Sequence, residues 1–237
     1  MVDDLLAGHV RFRADFVVRE REYLAELAAR GQQPVALYIG CSDSRVIPEL
    51  LTDAGPGQLF VVRNVANRVP LPAEGDRSVA AAIEFAVGSL GVADIIVCGH
   101  DGCGGIRAAL DGTGGPDAAS ALGQWLAGLE PAVARARAAS QDPAVQLVRA
   151  VEENVLAGLA TLADAWIRPL GAARTVRLHG WIYEMGEATL RLYDNESGRF
   201  TPLADLSPAR SVSSAGPGRS SARPSTAAPS PGRGRRT

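Results

Sequence analysis

Lysine is absent: all 24 basic side chains of this 237-residue chain are arginines, and every positive charge on them is a guanidinium that stays protonated. This skew reads as compositional bias and not as function. Cysteine is scarce. Three in a chain of this length make no disulfide framework, and in a reducing compartment they read as metal ligands, nucleophiles or core residues. Long apolar runs are missing as well. The longest, such as "ADIIVCGH", fall far short of the roughly 20 residues a membrane-spanning helix needs, so no membrane partner is expected. The acidic opening "MVDDLLAGHVRFRADF" lacks an apolar signal core with a small-residue cleavage site, which leads to the expectation of a cytoplasmic protein. The net charge of −2 hides an asymmetry, because residues 207–237 carry six arginines and no acid. Residues 1–206 therefore hold 18 arginines against 26 acids, a balance of −8. That sign argues against a nucleic-acid partner.

What is present is enough for a core: 46% of the residues are apolar, and one domain over residues 1–206 is expected. Residues 10–30 mix apolar and charged positions at helical spacing and stop at Gly31, which predicts an amphipathic helix in an N-terminal arm of residues 1–30. Four β-rich runs follow: "PVALYIG" (34–40), "GQLFVVRN" (57–64), "ADIIVCGH" (93–100) and "RTVRLHGWIYEMG" (174–186). The first three are nearly continuous in apolar residues, as strands buried on both faces should be. "DRSVAAAIEFAVGSLG" supplies a crossover helix between the second and third. Residues 118–139 and 144–168 read as two more helices. The closing stretch "TVRLHGWIYEMGEATLRLYDNESGRF" alternates polar and apolar and is expected to be antiparallel at a sheet edge. The fold class is α/β, a central, mostly parallel sheet flanked by helices. Residues 207–237, rich in Ser, Pro and Arg, have almost nothing to bury and are expected to be a disordered basic tail.

Two loops after apolar strands carry chemistry: "CSDSR" from Cys41 and "GHDGCGG" around His100. In open parallel sheets, ligands gather beyond the carboxyl ends of the strands, so the two loops can share a crevice. Cys41, His100 and Cys103 then form a set of two thiols and an imidazole that selects zinc over magnesium or calcium and leaves a fourth position open. Gly102, Gly104 and Gly105 permit a tight turn around a ligand. Asp43 and Arg45, two apart, form an ionised pair; near a metal the carboxylate can either occupy the fourth position or accept a hydrogen bond from a bound nucleophile. Cys98 reads as a small buried hydrophobe that strand alternation turns away from His100's face or into the core. His9 and His179 lack clustered partners and read as structural or solvated.

These motifs resemble the β-class carbonic anhydrases, over roughly residues 30–195: "CSDSRV", "PGQLFVVRNVANRVP", "AAIEFAVGSLGVADIIVCGHDGCGGI" and "HGWIYEMGEATL" occur in the family's order. The resemblance implies hydration of carbon dioxide to bicarbonate, zinc on Cys41, His100 and Cys103, and the dyad Asp43–Arg45. It implies substrate contacts from Gln32, Phe60, Val65, Phe85 and the Gly104 N–H, and a homodimer or homotetramer in which the pocket is shared. Gln32 and Pro34, with Phe60 and Val65, match the open, plant-like branch. Phe85 departs from the usual tyrosine, and Asp101 brings a negative charge to the metal loop where serine or threonine is commoner. Two alternatives stay open: hydrolysis of carbonyl sulfide or carbon disulfide on the same scaffold, and a zinc-binding regulatory protein without catalysis.

Overall fold

β-Branched and apolar runs build a single six-stranded sheet. In the computed structural model, which describes residues 1–113, 119–169 and 175–205, the strands are β1 (Ala36–Cys41), β2 (Leu59–Asn64), β3 (Asp94–His100), β4 (Arg177–Glu184), β5 (Thr189–Asp194) and β6 (Arg199–Pro202). Their order is β2-β1-β3-β4-β5-β6. The pairs β2–β1, β1–β3 and β3–β4 are parallel, and β4–β5 and β5–β6 are antiparallel. The expectation for the closing stretch is therefore corrected in part. β4 lies inside the sheet and runs parallel to β3, while only β5 and β6 form the antiparallel edge. Alternation is the same for either strand direction, so the pattern left the direction of β4 undetermined. β2 also differs from expectation. It is an edge strand whose residues are mostly half-buried, whereas every residue of β1 is buried.

Helices pack mainly on one face. The crossover from β2 to β3 is α5 (Arg77–Glu84), started by Asp76, whose side chain accepts from the Val79 N–H, and extended by a wide turn over Phe85–Ser89. α6 (Gly104–Asp111) follows β3 directly. The helix expected over residues 118–139 is two, α7 (Ala121–Ala127) and α8 (Glu130–Ala139). Pro131 at the start of α8 explains the break, because its ring excludes a continuing helix before it. α9 (Pro143–Thr161) is the long crossover between β3 and β4. Leu37, Ile39, Ile95 and Val97 of the sheet meet Val151 and Val155 of α9 in the main core. Gly99 permits this approach: a Cβ there would lie 2.9 Å from Val155 Cγ2 and 3.0 Å from Val151 Cγ1. The opposite face carries Ala36, Tyr38, Ile96 and Cys98.

The arm is segmented. Instead of one helix over residues 10–30, the chain forms α1 (Val2–Ala14), α2 (Phe16–Arg19) and α3 (Arg21–Arg30), interrupted at Asp15 and Glu20, with none of their residues buried. α3 ends at Gly31 in left-handed φ of 73°, as expected. It is tied to the body by Tyr23, whose hydroxyl donates to the Pro56 carbonyl at 2.6 Å. The short α4 (Pro48–Leu51) completes the set. Among the described residues no helix is long and apolar enough to cross a membrane. Met1–Leu203 form one compact unit, and the tail expected over residues 207–237 lies outside the described residues.

Candidate metal centre

Parallel register sets the centre. β1 is paired with β3 so that Gly40 lies beside Cys98; Cys41 at the end of β1 and His100 at the end of β3 thus reach the same carboxyl edge of the sheet. Beyond His100 the chain reverses through Gly102, whose φ of 59° is left-handed, and Cys103 becomes the cap residue of α6. Cys41, His100 and Cys103 are all buried, and their ligand atoms lie within 4.8 Å of one another. The two sulfurs are 3.9 Å apart.

His100 has the tautomer a metal requires. His100 Nδ1 lies 2.8 Å from the Asp101 carbonyl oxygen. That oxygen can only accept, so Nδ1 carries the hydrogen and Nε2 keeps a lone pair. Nε2 is buried and has no hydrogen-bond partner. An orphaned buried nitrogen is costly unless something binds it, and a cation held by the two sulfurs would do so. The two thiols are close enough for one to donate to the other. That bond draws Cys41 down against the penalty of burial, and His100 and the Asp43 and Ala66 backbone add to the pull. Cys103 is pushed up by that same bond and by burial. Burial disfavours a charged His100, yet the Cys41 sulfur, the Asp101 carbonyl and Asp43 together hold its pKa above the ordinary value. A soft divalent cation would be a better partner for these sulfurs than a proton.

Asp43 stands beside this triangle. Its Oδ2 is 3.9 Å from His100 Nε2. Arg45 grips both carboxylate oxygens, with Nε donating to Oδ1 at 2.9 Å, Nη2 to Oδ2 at 2.7 Å, and its backbone N–H to Oδ1 at 3.0 Å. The Arg45 side chain holds Asp43 well below the usual carboxylate range. Arg63 holds the loop itself, donating from Nε to the Cys41 carbonyl at 2.9 Å and from Nη2 to the Asp43 carbonyl at 2.5 Å. Sequence reasoning missed Arg63; its signal was one guanidinium in the otherwise apolar run "LFVVRN".

The structure divides the expected substrate contacts. Gly104 opens α6 directly after Cys103, and Val65 lies against the next residue, where a Cβ on Gly105 would be 2.8 Å from Val65 Cγ1. Gln32, Phe60 and Phe85 are not brought to the centre within the chain. Phe60 is paired with Leu37, four residues before Cys41, or about 13 Å along the strand. Phe85 stacks on Phe60 at 5.9 Å and is 45% exposed. Gln32 precedes β1, at the opposite end from Cys41.

Other expectations resolve simply. Cys98 is fully buried beside Tyr38 and donates to the Gly99 carbonyl. Being two residues from His100, it shares that residue's strand parity, so burial in the core, not alternation, removes it from the centre. Asp101 Oδ1 accepts from the Met185 N–H at 2.9 Å, which ties the metal loop to the turn after β4. His9 stacks on Phe12, and His179 contacts Asp94.

Known proteins resemble this chain in both sequence and fold. Residues 36–190 match the family model described as carbonic anhydrase. A carbonic anhydrase of Pseudomonas aeruginosa is 39% identical over 214 residues, covering 88% of this chain and 95% of that protein. Among solved structures, the β-carbonic anhydrase CcaA superposes with a TM-score of 0.77 at 31% identity, covering 85% of this chain and 98% of that one. One of two tetrameric β-carbonic anhydrases from the filamentous ascomycete Sordaria macrospora gives 0.71 at 30% identity, covering 81% and 95%.

Proposed function

The chain belongs to the β-carbonic anhydrase family, an enzyme for the reversible hydration of carbon dioxide to bicarbonate, and on that premise we propose how its own residues divide the work. Cys41, His100 and Cys103 hold one zinc ion, the metal that two thiolates and an imidazole favour. When bound, zinc supplies the Lewis acidity that makes water a nucleophile near neutral pH. Asp43 orients that nucleophile. With both of its oxygens gripped by Arg45, the carboxylate stays ionised and fixed. A remaining lone pair on Oδ2, the oxygen nearest His100, accepts the nucleophile's O–H and aims its other lone pair at the carbon of carbon dioxide. The Gly104 N–H, at the start of α6, donates to a substrate oxygen as charge develops there. Val65 supplies an apolar wall that favours an uncharged gas over water.

The remaining wall comes from a second copy of the chain. Gln32, Phe60 and Phe85 lie away from their own Cys41 end, and Phe85 is largely exposed. The arm supports the same reading: Val2, Leu5, Leu6 and Val10 are all more than 60% exposed, apolar surface that a neighbouring subunit would cover. The relative from Sordaria macrospora is a tetramer, and we assign a homodimer or homotetramer to this chain.

The observation that carries the proposal is the buried Cys41–His100–Cys103 triangle with its orphaned Nε2 beside the clasped Asp43. Elemental analysis of zinc-supplemented protein together with stopped-flow carbon dioxide hydration tests it. One zinc per chain and rapid hydration are expected; less than about half an equivalent overturns the ligand assignment. Deleting residues 1–28 is expected to give a monomer of low activity, and a fully active monomer by light scattering rules out the shared pocket.

A further inference from the structure

Between β2 and α5 the backbone enters a conformation that ordinary residues avoid. Ala66 (φ 64°) and Asn67 (φ 44°) are consecutive left-handed residues, neither of them glycine. Such a turn persists only where its surroundings hold it. Three side chains do so. Asn64 brackets it, accepting from the Arg68 N–H at 2.7 Å and donating to the Arg68 carbonyl at 2.9 Å. Trp125 Nε1 donates to the Val65 carbonyl at 2.8 Å. The third reaches through the core: Asn154 Nδ2, 88 positions away, donates to the Ala66 carbonyl at 2.8 Å.

Asn154 is 5% exposed and sits on α9 beside Val155, which packs on Gly99 directly before His100. One stretch of one helix therefore touches both the backbone under His100 and the left-handed turn. The turn in turn meets the centre. A Cβ on Gly105 would lie 2.8 Å from Val65 Cγ1 and 3.1 Å from Ala66 Cβ, so the turn lies against the first turn of α6, directly after Cys103.

We propose that Asn154 is a positioning residue for the metal centre: by holding the Ala66 carbonyl it keeps the turn that seats Val65 and Ala66 against Gly105, two residues after Cys103. Without that clamp the turn no longer fixes the loop of Cys103, and a ligand less well oriented overlaps less with the metal and holds it more weakly.

The inference rests on Cys41 and Cys103 being ligands, and cobalt(II) loading of the unaltered protein tests that separately: absence of any thiolate charge-transfer band there removes the centre itself. Given that band, Asn154→Leu and Asn154→Ala are compared, each alone and combined with Ala66→Gly. Glycine takes positive φ without steric cost, so it should restore a turn that has lost its clamp. The single variants are expected to lower the intensity of the band and to weaken cobalt retention about tenfold in chelator competition. Adding Ala66→Gly is expected to recover most of both effects. Wild-type spectra and retention in the single variants overturn the proposal. So does a double variant no better than its Asn154 parent, which would make Asn154 a core-packing residue only. If Asn154→Leu does not fold, the Asn154→Ala pair decides by the same two criteria.

Discussion

The two ends of β3 carry the same three residue types and do different things with them. At the carboxyl end Asp43 is clasped by Arg45, with His100 Nε2 at 3.9 Å. At the amino end Asp94 is clasped by Arg177, Nε to Oδ1 at 2.7 Å and Nη2 to Oδ2 at 2.5 Å, with His179 Nε2 at 2.8 Å. The contrast lies in the histidine. His179 spends its Nε2 proton on the Asp94 carboxylate, which can only accept. That nitrogen has no lone pair to offer a metal. His100 gives its proton from Nδ1 to a backbone carbonyl instead, and its Nε2 remains a base in a buried space shared with two sulfurs. Aspartate, arginine and histidine together make an ion-pair cluster. The tautomer and the two cysteines make a metal site of the same ingredients.

Replacing a ligand should abolish that difference most completely. Cys103→Ser is expected to lose more than about 100-fold in metal affinity, beyond what loss of a supporting residue costs, and activity with it. Elemental analysis and stopped-flow hydration check this, and a variant that keeps both metal and rate removes Cys103 from the ligand set. Asp43→Asn comes next. It should lower kcat by about 10²–10³-fold, in the range of a lost transition-state hydrogen bond, while zinc stays bound; loss of zinc would instead make Asp43 a ligand.

The mirror substitution, Asp94→Asn, sharpens the comparison by its small effect. Activity is expected to be unchanged and stability to fall by about 1 kcal/mol or less, since the pair is partly solvated, or roughly 2–4 °C in Tm. Its pH dependence has a definite sign. Burial opposes ionisation of Asp94, but Arg177 and His179 outweigh it and depress the pKa. A carboxylate depressed in the folded state stabilises above its unfolded pKa and loses that contribution as pH falls through the folded value. The Tm gap between wild type and Asp94→Asn should therefore be full at pH 7 and close between about pH 4 and the folded pKa below it. A gap that widens on acidification contradicts the assignment.

The same contrast explains what could be read in advance. The clustering of Cys41, His100 and Cys103 was legible because two apolar strands each end in side chains able to ligate, and parallel sheets collect such ends at one edge. Asp43 and Arg45 were legible from their spacing. The turn at Ala66 and Asn67 was not: neither residue is glycine, and the groups that hold it, Trp125 and Asn154, lie 60 and 88 positions away from the carbonyls they bind. The breaks in the arm at Asp15 and Glu20 were equally hidden, because neither position carries the glycine or proline that marks an interruption. Placing Phe60 opposite Leu37 needed the register of β1 on β2, which the apolar run alone does not set.

The partner chosen by His100 Nδ1 has a consequence for inheritance. It is the main-chain oxygen of residue 101, and every amino acid encoded there brings the same oxygen. No missense change at that codon deletes the acceptor. Position 101 is thereby freed to vary, and in this chain its side chain serves the Met185 turn while its backbone fixes the tautomer of His100.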